Sequence, residues 1–197
     1  MLPYEHTNDV ERVASILTDA FLPMKFDHYL CEGKVDREEC YDAFVETVER
    51  YLENGGYVVQ SSDFSAVAIL SGPEKFINSY RDDSQGRMKK VKQLFDDAAE
   101  KYLGKQKFWY LSYLARDPSS DTKGAVSAVV RPFMEDAKKK GIPFALEAVG
   151  DRAKQVYEHW GFKTVEVLRV GEGEVDAENK PDPNGEGMEV YYMIYNL

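Results

Sequence analysis

The chain is poor in the residues that usually mark a metal or redox centre. Two cysteines, Cys31 and Cys40, and three histidines, His6, His28 and His159, are scattered over 197 residues. None has the paired spacing of metal ligands or of a disulfide framework, so no metal is expected. The GxSxG elbow of many hydrolases is missing, and so is the GxxxxGK[ST] loop of nucleotide triphosphatases. No apolar run approaches the ~18 residues of a membrane span, so no membrane partner is expected. The opening stretch MLPYEHTNDVERV has neither a basic start nor an apolar core. A chain without a secretory leader, cytoplasmic in location, is the expectation. Positive charge is also short: 25 Lys and Arg face 35 Asp and Glu, a formal −10. That sign opposes a phosphate backbone, which excludes nucleic acid as a partner held by the overall field.

What is present is core material. A hydrophobic fraction of 43%, with 13 Tyr, 10 Phe and 2 Trp, suffices for one domain spanning 1–197. Asn8 or Asp9 can cap a helix whose stripe is Val10, Val13, Ile16, Leu17 and Phe21. A second helix starts near Asp36, with Glu39 at capping-box spacing, and stops at Gly55-Gly56. Two short strands follow, Tyr57 to Gln60 and Phe64 to Leu70, joined by Ser61-Ser62-Asp63. An amphipathic helix covers Arg87 to Tyr102. From Lys107 to Ala115, Gly124 to Lys140, Pro143 to Val149, Asp151 to Trp160 and Phe162 to Val170, strand and helix alternate. This order predicts an α/β (α+β) fold with a sheet of about six to seven strands. The segment Gly171 to Gly187 carries six acids and one lysine, half of the net charge, between that last strand and a final one at Met188 to Tyr195. Its composition predicts a solvated, disordered connection; a role in attracting cations to a site is the alternative.

Two stretches carry chemistry. In Tyr110 to Val130, an apolar strand runs into Asp117-Pro118 and then into a small-residue turn at Lys123-Gly124 before a helix. Amides at a helix start lack intrahelical partners and point outward with the positive end of the dipole, which suits an anion such as pyrophosphate. Gly124 permits close backbone approach; an ordinary tight turn is the plainer reading. In Pro143 to Phe162, Glu147 is the single charge inside an apolar strand. Burying a carboxylate costs several kcal/mol unless it is paired or hydrated, so it is expected to face a cleft. Tyr157, on the next helix with Ala153, Val156 and Trp160, reads by itself either as packing or as a site residue.

Together the two stretches resemble the GNAT superfamily of acyl-CoA-dependent acetyltransferases. The turn Pro118-Ser-Ser-Asp121-Thr-Lys-Gly124-Ala-Val126 has the spacing of the family's acyl-CoA signature. Leu146-Glu147-Ala148 and Tyr157-Glu158-His159-Trp160-Gly161-Phe162 match its downstream strand and helix. The aromatic entry Phe108-Trp109-Tyr110-Leu111 and the internal Pro132 are similar to puromycin N-acetyltransferase-like members. Asp121 stands where Gln or Arg is usual, Val126 where Gly or Ala is, and Asp151 where Asn is frequent. The resemblance implies a GNAT-type mixed sheet flanked by helices and a transfer of acetyl from acetyl-CoA to a small-molecule primary amine in a ternary complex. It assigns Glu147 as general base and Tyr157 as general acid. Acetyl-CoA would lie along Leu114, Ala115 and Arg116, the turn Asp121, Thr122, Lys123, Gly124, Ala125 and Val126, and Asp151. The acceptor would meet Trp109, Tyr110, Tyr113, Phe26 and Tyr29, in a monomer or homodimer. A non-catalytic acyl-CoA-binding or interaction module is the alternative.

Overall fold

The computed structural model describes residues 3–197. Its elements run β1 (Tyr4–His6), α1 (Val10–Phe21), α2 (Lys25–Leu30), α3 (Arg37–Glu53), β2 (Tyr57–Ser61), β3 (Ala66–Ser71), α4 (Gly86–Tyr102), β4 (Trp109–Arg116), α5 (Ala125–Lys140), β5 (Phe144–Val149), α6 (Asp151–His159), β6 (Lys163–Val170) and β7 (Met188–Tyr195). Local chemistry accounts for the starts of the first long helices. Asp9 accepts from the Arg12 amide at 3.1 Å. One Asp36 oxygen accepts from the amides of Glu38 and Glu39 at 2.9 and 3.0 Å, satisfying donors that helix geometry leaves open. The short β1 and α2 lie outside the sequence expectation; three and six residues are too few to show a period.

The seven strands among the described residues form one sheet in the order β1-β2-β3-β4-β5-β7-β6, antiparallel except between β4 and β5. One face packs on α5 and α6 through Trp109, Leu111, Phe144, Leu146 and Ala148. The opposite face splits into a cluster under α2 and α4 and another under α1 and α3.

Two irregularities shape the middle of the sheet. The β3–β4 register jumps from Ile69↔Tyr113 to Leu70↔Leu111, so Ser112 is an extra residue, a β-bulge. The bulge resets the alternation. Trp109 and Leu111 face α5, whereas Tyr113 and Ala115 join the cluster under α1 and α3. The parallel β4–β5 pairing then lasts only from Trp109↔Phe144 to Leu111↔Leu146. Beyond it the strands part, and Ser112 to Leu114 stand across a gap from Glu147 to Val149.

The acidic connection differs from its expected disorder. Val175 is 2% exposed and bridges to Pro181, and Glu174 accepts from Tyr29 and pairs with Arg87 and Lys90. Glu178 pairs with Lys25. Cations on α2 and α4 neutralise part of a charge run that in isolation would keep the segment extended, and the buried valine supplies an anchor. Folded in this way, the segment braces α2.

Candidate active site

A cavity of about 1150 Å³ opens where β4 and β5 part. Ser112, Tyr113 and Leu114 line it from β4, and Glu147, Ala148 and Val149 from β5. Ala153 and Tyr157 of α6 reach it from one face of the sheet, and Phe26, Asp27 and Phe44 of α2 and α3 from the other.

Glu147 belongs to the face under α2 and α4, since Phe144, Leu146 and Ala148 take the other side. The Tyr110 hydroxyl donates to Glu147 Oε2. Its Oε1 is buried with no partner among the described residues. Burial pushes the carboxyl up to about 8, against the opposing pull of the Tyr110 hydrogen bond. A carboxyl so placed can accept a proton at little cost. Tyr157 is 9% exposed, held edge-on between Trp160 and Phe162 with centroids at 5.8 and 5.6 Å. Burial raises its phenol, and its hydroxyl makes no hydrogen bond to the described residues. Aimed into the cavity, it keeps its proton for a strong base alone.

The turn before α5 has the build of an anion cradle. Gly124 takes φ 82°, and a Cβ built there would meet no atom within 4 Å. The first amide of α5 to find an acceptor is Ala128, bonded to Gly124 at 3.0 Å, which leaves the amides of Ala125, Val126 and Ser127 free. The Asp121 side chain is fully exposed and sits 4.0 Å from the Arg116 guanidinium. Val126 packs against the sheet cluster and does not crowd the turn. Lys123 is exposed, Thr122 half-buried. Of the turn's departures from the family signature, Asp121 is in solvent beside Arg116 and Val126 packs inward against the sheet cluster.

This turn rests on a residue that the sequence reading missed. Asp63, at the tip of the β2–β3 hairpin, accepts from Ser61 Oγ at 2.9 Å, Ser65 Oγ at 2.6 Å and Thr122 Oγ1 at 2.9 Å. Those bonds hold its carboxyl far below the usual range. Ser120 adds a bond to Ser65 at 2.6 Å. Asp63 is 58 residues from Asp121, and only the tertiary fold joins them; a Ser-Ser-Asp hairpin tip gives no local signal.

The remaining expected site residues separate. Leu114 lines the cavity; Ala115 is buried under α1 and α3, and Arg116 is exposed, bonded to the Ser120 carbonyl. Asp151 accepts from Tyr191 at 2.7 Å and does not line the cavity. Tyr113 and Phe26 line the cavity, Tyr113 between Phe21 and Phe44 at 5.8 and 5.6 Å. Trp109 does not: it is buried against Tyr57 and Phe133 on the α5 face and donates to Asp136 at 2.8 Å. Tyr29 is spent on Glu174 and lies under the Arg87 guanidinium at 4.3 Å. Tyr110 serves through Glu147, and Phe108 packs on Phe76. Cys31 and Cys40 do line the cavity, but burial raises both thiols, Cys40 to about 11, so neither is a thiolate nucleophile at neutral pH.

Residues 5–76 match the model of a family described as the YOR012W acetyl transferase domain. The uncharacterized protein YDR391C of Saccharomyces cerevisiae is 27% identical over 207 residues, covering 96% of this chain and 85% of that one. An uncharacterized N-acetyltransferase of Schizosaccharomyces pombe, C550.08, is 22% identical over 176 residues, 78% of this chain and 70% of that one. Among solved structures, the Drosophila melanogaster polyamine N-acetyltransferase, described as forming N-acetylagmatine, superposes with a TM-score of 0.64 at 12% identity. The match covers 98% of this chain and 99% of that one. The seven-stranded sheet is the GNAT fold. The acetyltransferase-domain match covers residues 5–76, and over nearly the whole chain the fold is that of the N-acetyltransferase structures it superposes on.

Proposed function

We propose that the protein moves an acetyl group from acetyl-CoA to a primary amine of a small molecule by direct transfer in a ternary complex. The observation that carries this reading is that Glu147 and Tyr157, from opposite faces of the sheet, reach one cavity at the point where β4 and β5 part. A proton acceptor and a proton donor on either side of one opening suit aminolysis of a thioester. The free amides of α5 fit the pyrophosphate of the donor, and the unpaired edge of β4 at Ser112 to Leu114 suits its amide-bearing arm. A backbone N–H on that edge that polarises the thioester carbonyl is a donor role worth about 10²-fold or more in rate.

Glu147 takes a proton from the acceptor ammonium, whose lone pair is blocked until then. As the nitrogen–carbon bond forms and the carbon–sulfur bond breaks, Tyr157 gives its proton to sulfur. The further proton shed by nitrogen restores the phenol. The site's acids agree with a cationic acceptor, as does the amine acted on by the polyamine enzyme of similar fold. Thermal-shift measurements with CoA, then thiol release over a panel of amines, aminonucleosides and peptide N-termini, test the reading. Near-full turnover in both Glu147→Gln and Tyr157→Phe overturns the residue roles. Stabilisation by CoA without thiol release on any acceptor favours a binding module.

A further inference from the structure

A second carboxylate stands in the same cavity with no partner. Asp27, on α2, lines the cavity, and its Oδ2 is buried with no hydrogen-bond partner among the described residues. Burial pushes its carboxyl up to about 7, with only its own backbone N–H working the other way. An orphan acid of this kind is costly to keep unless a ligand satisfies it. Three cations line the same cavity, and none is bonded to Asp27: Arg50 donates to the carbonyls of Asn78 and Ser79, Arg81 to Asp83 and Glu46, and Lys34 makes no ion pair with it.

Asp27 and Glu147 reach the cavity from different elements. Asp27 comes from α2 and Glu147 from β5, and no hydrogen bond joins the two carboxyls, although both line the one cavity. The cavity wall beside them is apolar and aromatic, with Phe26, Leu30, Phe44 and Tyr113. Two carboxyls, each with one buried oxygen lacking a partner, in a cavity whose lining includes these apolar side chains are the complement of two cationic nitrogens joined by methylenes.

We propose that Asp27 is a second cation subsite and that the acceptor is an aliphatic amine carrying another cationic nitrogen, its reacting amine at Glu147 and its distal cation on Asp27. This rests on the acetyltransferase reading and narrows its acceptor. Butylamine and 1,4-diaminobutane differ only in the distal charge and serve as probes, by calorimetric binding to the protein with CoA present and by thiol release. In the wild type the diamine binds at least ~10-fold more tightly, and Asp27→Asn removes that preference, raising the diamine KM ~30-fold with kcat within threefold. Butylamine changes less than threefold. Asp27→Glu keeps the preference, which separates a charge role from a packing one.

Equal losses for both amines in Asp27→Asn, or a wild type that does not prefer the diamine in binding, overturn the subsite. Absence of thiol release with Asp27-dependent diamine binding retained overturns the acetyl transfer and leaves the subsite standing.

Discussion

The two sides of the β4–β5 opening are built from opposite materials. On the α5 and α6 side stand free backbone amides, a glycine turn and a phenol; on the α2 and α3 side stand carboxyls and aromatic rings. The first side suits an anion, the second a cation, and the sheet separates them. A single net charge hides this zoning, because the positive end comes from peptide dipoles that no count of side chains includes. The α2 side also rests on a short element: α2 is six residues long and is pinned by the acidic segment. By contrast the α5 side is a 16-residue helix on a closed cluster.

Substitutions can break this division, and the largest effect belongs to Glu147. Glu147→Gln is expected to lower kcat/KM for thiol release by 10² or more. The same change should stabilise the fold at high pH. Because the folded-state value lies above that of an unfolded glutamate, the bound proton stabilises the fold fully below about 4.5. That contribution is lost as pH rises through about 8. Melting of the variant should therefore match wild type at pH 5 and exceed it by at least ~3 °C at pH 9. A pH-independent difference would place Glu147 outside the titrating role. In wild type, kcat/KM should rise with an acid limb near 8.

Tyr157→Phe ranks next, with an expected ~10²-fold fall in kcat and little change in the amine KM; steady-state kinetics with the acceptor varied would show it. The braced turn gives a smaller effect. Asp63→Ala removes three hydroxyl partners and should raise the acetyl-CoA KM ~3- to 10-fold while leaving the amine KM within twofold. An equal rise in both would show that the two sides are not independent. Smallest of all, Glu174→Gln weakens the hold on Tyr29, Arg87 and Lys90. A Tm loss of ~2–4 °C and a roughly twofold rise in the amine KM are expected, with the acetyl-CoA KM unchanged.

Much of this was legible before the fold was known. The strands and long helices follow from apolar period and caps, as at Asp9 and Asp36. Glu147 stood out as a charge in an apolar strand, and Gly124 as the turn before a helix. The aromatics were harder to place. Trp109, Tyr110 and Tyr113 look alike on one strand, yet the Ser112 bulge sends Tyr113 to the cavity side and leaves Trp109 in the core beneath α5. Asp27 and Asp63 carried no local mark, because each acquires its role from residues far along the chain.

The sequence by itself determined which segments are strand or helix, where an anion can meet unpaired amides, and that one strand glutamate would be expensive to bury. These are local properties of period, φ preference and desolvation. The tertiary structure decided that β4 and β5 pair for three residues and then part. That opening alone lets a glutamate on one face of the sheet and a tyrosine on the other reach the same cavity. Strand separation depends on the packing of both faces at once, and no pattern along a single strand encodes it.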